Sequence, residues 1–182
     1  EQHSAFTKST PEHEFSVCYV GSFKNYHSLQ SLIQGTSRLR ESGLDIGLSL
    51  VGTGPELGSV RETVSKYEIG CATTFHGFVD PARVPDDIRP ADACYGVIDP
   101  TRTGSPMKVY EYLANGTPVI ATKGDEFDFI EKEQVGILIE EPTSEAVANA
   151  IEQLYDTSES ERSRMRERAR NAGHEHGHTW AE

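Results

Sequence analysis

Two charged residues three positions apart, Lys108 and Glu111, carry the strongest chemical signal in this 182-residue chain. They lie in Thr103-Gly104-Ser105-Pro106-Met107-Lys108-Val109-Tyr110-Glu111-Tyr112-Leu113-Ala114-Asn115-Gly116. That stretch reads as a helix capped by Ser105, with Pro106 in its first turn and Asn115-Gly116 at its end. The unpaired N–H groups and positive dipole end of such a helix suit an anion, a diphosphate for example. Glu111 falls roughly 8 Å further along the axis, at about 1.5 Å per residue. A carboxylate there can accept two hydroxyl hydrogen bonds, which a ribose cis-diol offers. The plainer alternative is a solvated Glu111 paired with Lys108 across one turn, a contact worth little. Spacing alone leaves both open. Met107, Tyr110, Leu113 and Ala114 share a face expected to pack on a sheet, with Lys108, Glu111 and Tyr112 on the flank beside it.

Two glycine loops could serve the same ligand. Gly21-Ser22-Phe23-Lys24 follows an apolar run, so Gly21 either permits a positive φ or lets backbone approach a phosphate. No G-x-G-x-x-G follows it, and a nicotinamide cofactor is not expected. Gly52-Thr53-Gly54-Pro55, taken by itself, is first of all a turn.

Positioning such loops requires a regular scaffold, and the chain supplies one. Apolar runs of strand length at 15–20, 46–51, 72–76, 93–98, 118–121 and 136–139 alternate with helical stretches. The helices begin with Leu29, Leu32, Ile33 and Leu39 at helical spacing, stopped at Gly43. Others fall at about 56–67, at 105–116, from Ala146 to Tyr155, and in a charged stretch from about 160 to 172. Asp80-Pro81 also starts a helix. Short strands apolar on both sides predict a parallel sheet covered on both faces, a doubly wound α/β fold of about six strands. Ligands of such sheets bind at the carboxyl ends of the strands, where all three loops fall. Residues 1–14 are polar and aperiodic, a linker or strand entry; one domain occupies 15–182.

Composition narrows the function. Hydrophobic residues at 36% and charged residues at 25% describe a globular chain. No apolar run approaches the ~20 residues that span a bilayer, and no signal peptide opens the chain. The net charge of −12, from 29 acidic against 17 basic residues, disfavours a nucleic-acid partner. It also suits a high-salt interior. Cys18, Cys71 and Cys94 are odd in number and far apart, which implies buried free thiols in a reducing, cytoplasmic setting.

Six segments then occur in the order and spacing of one family. They are Tyr19-Val-Gly21, Ser49-Leu-Val-Gly52-Thr-Gly54-Pro55, Thr74-Phe-His-Gly77-Phe-Val79, Ala91-Asp92-Ala93, Glu111-Tyr-Leu-Ala114-Asn-Gly116-Thr-Pro118-Val-Ile-Ala121-Thr122 and Gly136-Ile-Leu-Ile139. Together they resemble the carboxy-terminal half of a GT-B fold glycosyltransferase of the large retaining family 4 (group 1) type, from residue 15 to Trp180. The resemblance implies a donor-binding domain for a nucleoside-diphosphate sugar, which is a substrate rather than a cofactor. It implies no metal, and a glycan or lipid-linked acceptor bound by an N-terminal domain that 182 residues leave no room for. A domain of this kind alone is expected to be catalytically incompetent. Glu111 matches the second carboxylate of the family's E-x7-E motif, which holds the donor ribose. The Gly21 loop and the backbone at Gly104-Ser105 would hold the diphosphate, Gly77-Phe78-Val79 would lie against the base, and Gly54 would line the same cleft. Three positions depart from the family: Thr103 replaces the first carboxylate, Ser22 the usual Arg, and His27 the usual Lys. Lys108 is the expected substitute cation, since Ser-Pro-x-Lys before Glu-Tyr-Leu-Ala is a recurring variant in the family, and Lys24 is a second candidate. The changed positions keep two other functions open, a non-catalytic nucleotide-sugar-binding module and a GT-B nucleotide-sugar epimerase.

Other patterns carry less. His174, His176 and His178 alternate near the end, but a polar tail rarely supplies convergent metal ligands. Arg162, Arg164, Arg166, Arg168 and Arg170 are diluted by Glu159, Glu161 and Glu167 and read as a solvated helix, with peripheral contact to anionic lipid the minority reading. No Ser/His/Asp or Cys/His set is supported by loop position.

Overall fold

The computed structural model describes residues 13–101 and 107–177. In chain order its elements are β1 (Phe15–Val20), α1 (Leu29–Glu41), β2 (Ile46–Val51), α2 (Leu57–Lys66), β3 (Thr73–Gly77), α3 (Val84–Ile88) and β4 (Ala93–Gly96). They continue with α4 (Met107–Ala114), β5 (Val119–Thr122), α5 (Asp128–Lys132), β6 (Gly136–Ile139), α6 (Ser144–Tyr155) and α7 (Glu159–Gly177). The strands form one sheet in the order β3-β2-β1-β4-β5-β6, and every neighbouring pair is parallel.

The two-residue period of β1 divides the molecule. Phe15, Val17 and Tyr19 enter one core with Leu29, Leu32 and Ile33 of α1, Val60 and Val64 of α2, and Val147 and Ile151 of α6. Cys18 enters the other, with Ile88 of α3, Val109 and Tyr112 of α4, Ile130 of α5, and Ala169 and Ala172 of α7. Both faces of the sheet are therefore covered, as the alternating pattern predicts. The edges differ: β3 and β6 keep mostly half-buried or exposed side chains, because an outer strand lacks a neighbour on one side.

The chain leaves β1 toward β2 and β3, then returns to place β4 on the other side of β1. That reversal opens a crevice at the carboxyl ends of β1 and β4. The loop leaving β4 is pinned there. Thr122 Oγ1 donates to the Ile98 carbonyl at 2.6 Å and accepts from the Ile98 amide at 2.9 Å. The Asp99 amide donates to the Tyr26 carbonyl at 2.7 Å.

On α4 the expected face needs correction. Met107 is 61% exposed, whereas Tyr112 is fully buried and its hydroxyl exchanges hydrogen bonds with the Val20 amide (2.9 Å) and carbonyl (3.1 Å). Two partners rather than one explain this: Val109 and Tyr112 face the sheet while α7 covers the next side. At Gly173 of α7, a Cβ would fall 2.1 Å from the Ala114 amide nitrogen, so the two helices approach to backbone contact.

Helix α7 is not the solvated element that its charge pattern predicts. Arg166 donates to the carbonyls of Ala91 (2.6 Å) and Arg89 (3.3 Å), and Arg162 to those of Tyr155 and Thr157. Both arginines flank Asp92, at 3.7 and 3.8 Å. Arg168 reaches the Gln134 carbonyl and Glu161; Arg164 remains largely exposed. A helix with so few apolar residues is held by these polar contacts together with the close packing of Ala169, Ala172 and Gly173. The short α5 was not anticipated, since five residues carry too little periodicity to show. Cys18 and Cys94 are buried free thiols, but Cys71 is exposed. Residues 1–12, most of the expected linker, lie outside the described residues, as do 178–182; His13 and Glu14 are tied to Asp45.

Candidate functional site

At the carboxyl end of β1 the backbone is drawn tight. Gly21 has φ +148° and Gly52 φ +124°, and a Cβ on Gly52 would fall 2.0 Å from the Gly21 carbonyl oxygen. Only glycines allow the loops after β1 and β2 to meet so closely. The Phe23 amide donates to the Thr53 carbonyl at 2.9 Å and the Gly52 amide to the Gly77 carbonyl at 2.7 Å, which locks three loops together. Gly54 belongs to this scaffold: its Cα packs on the Phe23 backbone, 2.6 Å from where a Cβ would stand. It is half-buried against Phe23 and, contrary to expectation, is not among the residues that line the cleft.

The cleft itself is an apolar slot of about 390 Å³, lined by Val20, Gly21, Ser22, Val51, Gly52, Thr53, Phe78, Val79 and Val84. Four expected site residues, Gly21, Ser22, Phe78 and Val79, meet there. Phe78 is 79% exposed at its rim, an unusual position for a large apolar ring. Gly77 supplies the turn beneath, with φ +67°.

Lys108 comes from the first turn of α4 and aims at the Gly21 loop. Its Nζ lies 2.8 Å from where a Gly21 Cβ would stand, so any side chain at position 21 would collide with it. Nζ donates to the Tyr19 hydroxyl at 3.2 Å, sits 4.4 Å above the Tyr19 ring, and is 3.4 Å from His27 Nε2. The Tyr19 hydroxyl in turn donates to the Ser22 carbonyl at 2.7 Å. Among the described residues no carboxylate pairs with Lys108, and the expected alternative contact to Glu111 is not formed. Burial without an acidic partner pulls its pKa down to about 7. Burial, with the Lys108 charge adding to it, pushes the His27 ring down to about 4 despite the Val97 carbonyl nearby. His27 is buried, and among the described residues its Nδ1 makes no well-formed hydrogen bond. Burial, followed by the neighbouring Tyr26, raises the Tyr19 phenol well above its ordinary value. Of the two candidate cations, then, Lys108 is the one brought to Gly21; Lys24 is exposed, with Nζ 5.7 Å over the Tyr26 ring.

Glu111, one turn along α4, is exposed, and among the described residues its carboxylate has no hydrogen-bond or ion-pair partner. Thr103, Gly104 and Ser105, expected to hold the diphosphate and the donor sugar, lie outside the described residues.

A scan against protein-family models matches residues 2–172 to glycosyl transferases group 1. The chain belongs to this family. It is similar in fold to sucrose-phosphate synthase of Thermosynechococcus elongatus, with a TM-score of 0.75 and 24% identity over 88% of this chain and 41% of that one. Anabaena HepE in complex with UDP and glucose gives 0.73, at 18% identity over 89% and 44%. The C-terminal domain of the group 1 protein LpcC from Francisella tularensis gives 0.70, at 21% identity over 91% and 85%. The chain thus spans less than half the length of the first two and most of the third, which matches a carboxy-terminal GT-B half. No curated protein sequence matches it significantly.

Several participants were not visible in the sequence of this group 1 domain. Tyr19 and Val84 enter the site only through tertiary packing, although Tyr19 stands two residues before Gly21 and could have been placed beside it. Contrary to expectation, a Ser/His/Asp array does form: Ser49 Oγ lies 2.8 Å from His76 Nε2, and His76 Nδ1 lies 3.6 Å from Asp87 Oδ1. The β2–β3 register jumps from Leu50–Phe75 to Val51–Gly77, and this bulge leaves His76 unpaired and re-aims its ring toward Ser49. A cavity of about 270 Å³ borders His76 and Asp87, but Ser49 is not among its lining residues. That cavity therefore does not reach the Ser49 hydroxyl. Among the described residues no three His, Cys, Asp or Glu side chains converge to hold a metal ion, and no helix is long and apolar enough to cross a membrane. His176 instead stacks on Phe129 at 3.9 Å and contacts Glu133 at 2.7 Å.

Proposed function

We propose that this domain binds the donor of a retaining glycosyltransferase, which moves a sugar from a nucleoside diphosphate to a glycan or lipid-linked acceptor held by a second domain. The observation that carries this reading is Lys108, a mostly buried cation aimed at an open glycine loop with no acid of its own. A buried ammonium without a counter-charge is costly, and a pyrophosphate against Gly21 would relieve that cost. The apolar slot beside it has the size and lining for a nucleobase, with Phe78 as an exposed ring at its mouth. Glu111, free in solvent on the same helix, accepts the ribose hydroxyls.

In the proposed reaction the bond between the anomeric carbon and the diphosphate oxygen breaks, and negative charge collects on the departing diphosphate. Lys108 stabilises that charge electrostatically, without a separate cofactor or metal. His27, held neutral, keeps a second positive charge away from the amine. UDP bound to HepE makes a uridine donor the first to try.

A thermal-shift panel of UDP-, GDP- and ADP-sugars tests the proposal. A donor present at 100 times its dissociation constant should stabilise the domain by roughly 2.7 kcal/mol. No shift with any of the three would overturn it. Glu111→Gln should weaken the preferred nucleotide sugar about tenfold while leaving inorganic pyrophosphate within about twofold, as expected for a lost charge-assisted hydrogen bond. Equal losses for both ligands would remove the ribose role.

A further inference from the structure

Lys108 is the only cation that the described residues bring to Gly21, and it is seated as a guest among neutral partners. From β1 it faces the Tyr19 hydroxyl and ring; from the 3-10 turn at Asn25–His27 it faces His27 Nε2. Lys24, just before that turn, adds positive charge that acts on His27. On α4 itself Glu111 makes no ion pair with it. None of these groups supplies negative charge to Nζ, whereas a pyrophosphate at Gly21 would supply a full unit or more.

We infer that donor binding is coupled to proton uptake: the Nζ amine of Lys108 takes one proton from solvent as the pyrophosphate of a nucleotide sugar settles against Gly21. The inference rests on the donor-site assignment above and specifies how that site is regulated. The balance is simple. The lone pair of Nζ gains a proton released by buffer, no bond to the ligand forms, and the resulting ammonium donates to pyrophosphate oxygens. His27 does not join the exchange, since burial already keeps it neutral well above about pH 4. Tyr19 stays neutral because its phenol is shifted upward.

The sign follows from linkage. With Lys108 near 7 in the free protein and higher beside the pyrophosphate, protons are taken up above about pH 7 and scarcely below about pH 6. Affinity should therefore be flat below about pH 6 and weaken toward tenfold per pH unit above about pH 7.

Titration calorimetry on this chain reads both quantities. The probes are UDP-glucose, GDP-mannose and ADP-glucose, whose pyrophosphate diesters carry no phosphate proton that titrates near neutrality. The observed heat is plotted against buffer ionisation enthalpy in HEPES, tricine and Tris. Near pH 8 the slope should give about 0.9 proton taken up per ligand; in low- and high-enthalpy buffers near pH 6 it should fall to about 0.1. Lys108→Arg, which stays charged throughout, should bind with no uptake and a flat pH profile. Binding of wild type without a buffer-dependent heat near pH 8 would overturn the coupling while leaving the donor site standing. No binding by any of the three probes would overturn the donor site and the coupling with it. If Lys108→Arg folds and still takes up a proton, the coupling belongs to another group and the assignment to Lys108 is wrong.

Discussion

The sheet carries a cationic cluster at each end, and the two are built on opposite plans. At the amino-terminal end Arg162 and Arg166 flank Asp92, donate to backbone carbonyls, and tie α7 to the entrance of β4. Asp92 also accepts from the Ser16 amide at 2.9 Å, so its carboxylate is shared between β1 and the arginines. At the carboxyl end Lys108 faces a histidine, a phenol and a glycine, with no acid among the described residues. Both arginines of the first cluster donate hydrogen bonds to backbone carbonyls inside the fold. The second has no internal counter-charge among the described residues, and on the proposed function a ligand's pyrophosphate would supply it.

The sharpest break in this contrast is Asp92→Ala. All three side chains in that cluster are about three-quarters buried, so removing the acid strands two guanidinium groups. A loss of about 3 kcal/mol is expected, seen as a midpoint lower by roughly 6–12 °C in thermal melts. Affinity for the preferred nucleotide sugar should stay within about twofold. If that affinity collapsed while the fold survived, the two ends of the sheet would not be independent.

Lys108→Met is the mirror experiment. Its effect on stability runs the other way, because the folded protein holds this lysine below its ordinary pKa. Between about pH 7 and pH 10 the unfolded chain binds more protons at this residue than the folded one, so wild type gains stability as pH rises through that window. The methionine variant lacks the lysine's share of that slope and should melt several degrees higher near pH 7. It should also lose donor affinity by about 100-fold, the cost of removing a charged partner of a phosphate. A variant that melts lower, with donor affinity unchanged, would make Lys108 a structural residue like Arg166.

How far the sequence could anticipate this contrast depended on what each feature needs. The sheet and most helices were readable because apolar runs and helical spacing are local, and the Gly21 and Lys108 candidates came from their places in that pattern. The edge exposure of β3 and β6 was not readable, since a strand does not record its number of neighbours. The arginines of α7 looked solvated because Asp92 and the Arg89 and Ala91 carbonyls are about 70 residues away in the chain. Tyr112 and Met107 exchanged roles for the same reason: a helix wedged between a sheet and a second helix buries two sides, and one periodic stripe reports only one. Gly54 was assigned to the cleft by its neighbours, but its backbone contact with Phe23 depends on a loop closure that local pattern does not encode.

The smallest effect concerns the third polar cluster, which lies between the two plans. Ser49, His76 and Asp87 have the atom order of a nucleophile, a base and an orienting acid, yet the serine sits within a strand and the 3.6 Å gap to Asp87 exceeds a good hydrogen bond. A nucleophile needs a turn that exposes it and donors to receive an oxyanion, and mid-strand Ser49 is offered neither by its position. Its contact is better explained as a clasp across the bulge that keeps the edge strand β3 in register. Ser49→Ala should then cost about 0.5–1 kcal/mol in denaturant melts and leave donor affinity within about twofold, because an exposed hydrogen bond contributes about that much. A fluorophosphonate probe makes the distinction independent of stability. The clasp predicts no covalent adduct on Ser49 after prolonged exposure, whereas a stoichiometric adduct that disappears in His76→Ala would show a reactive serine and give the edge of this sheet a chemistry of its own.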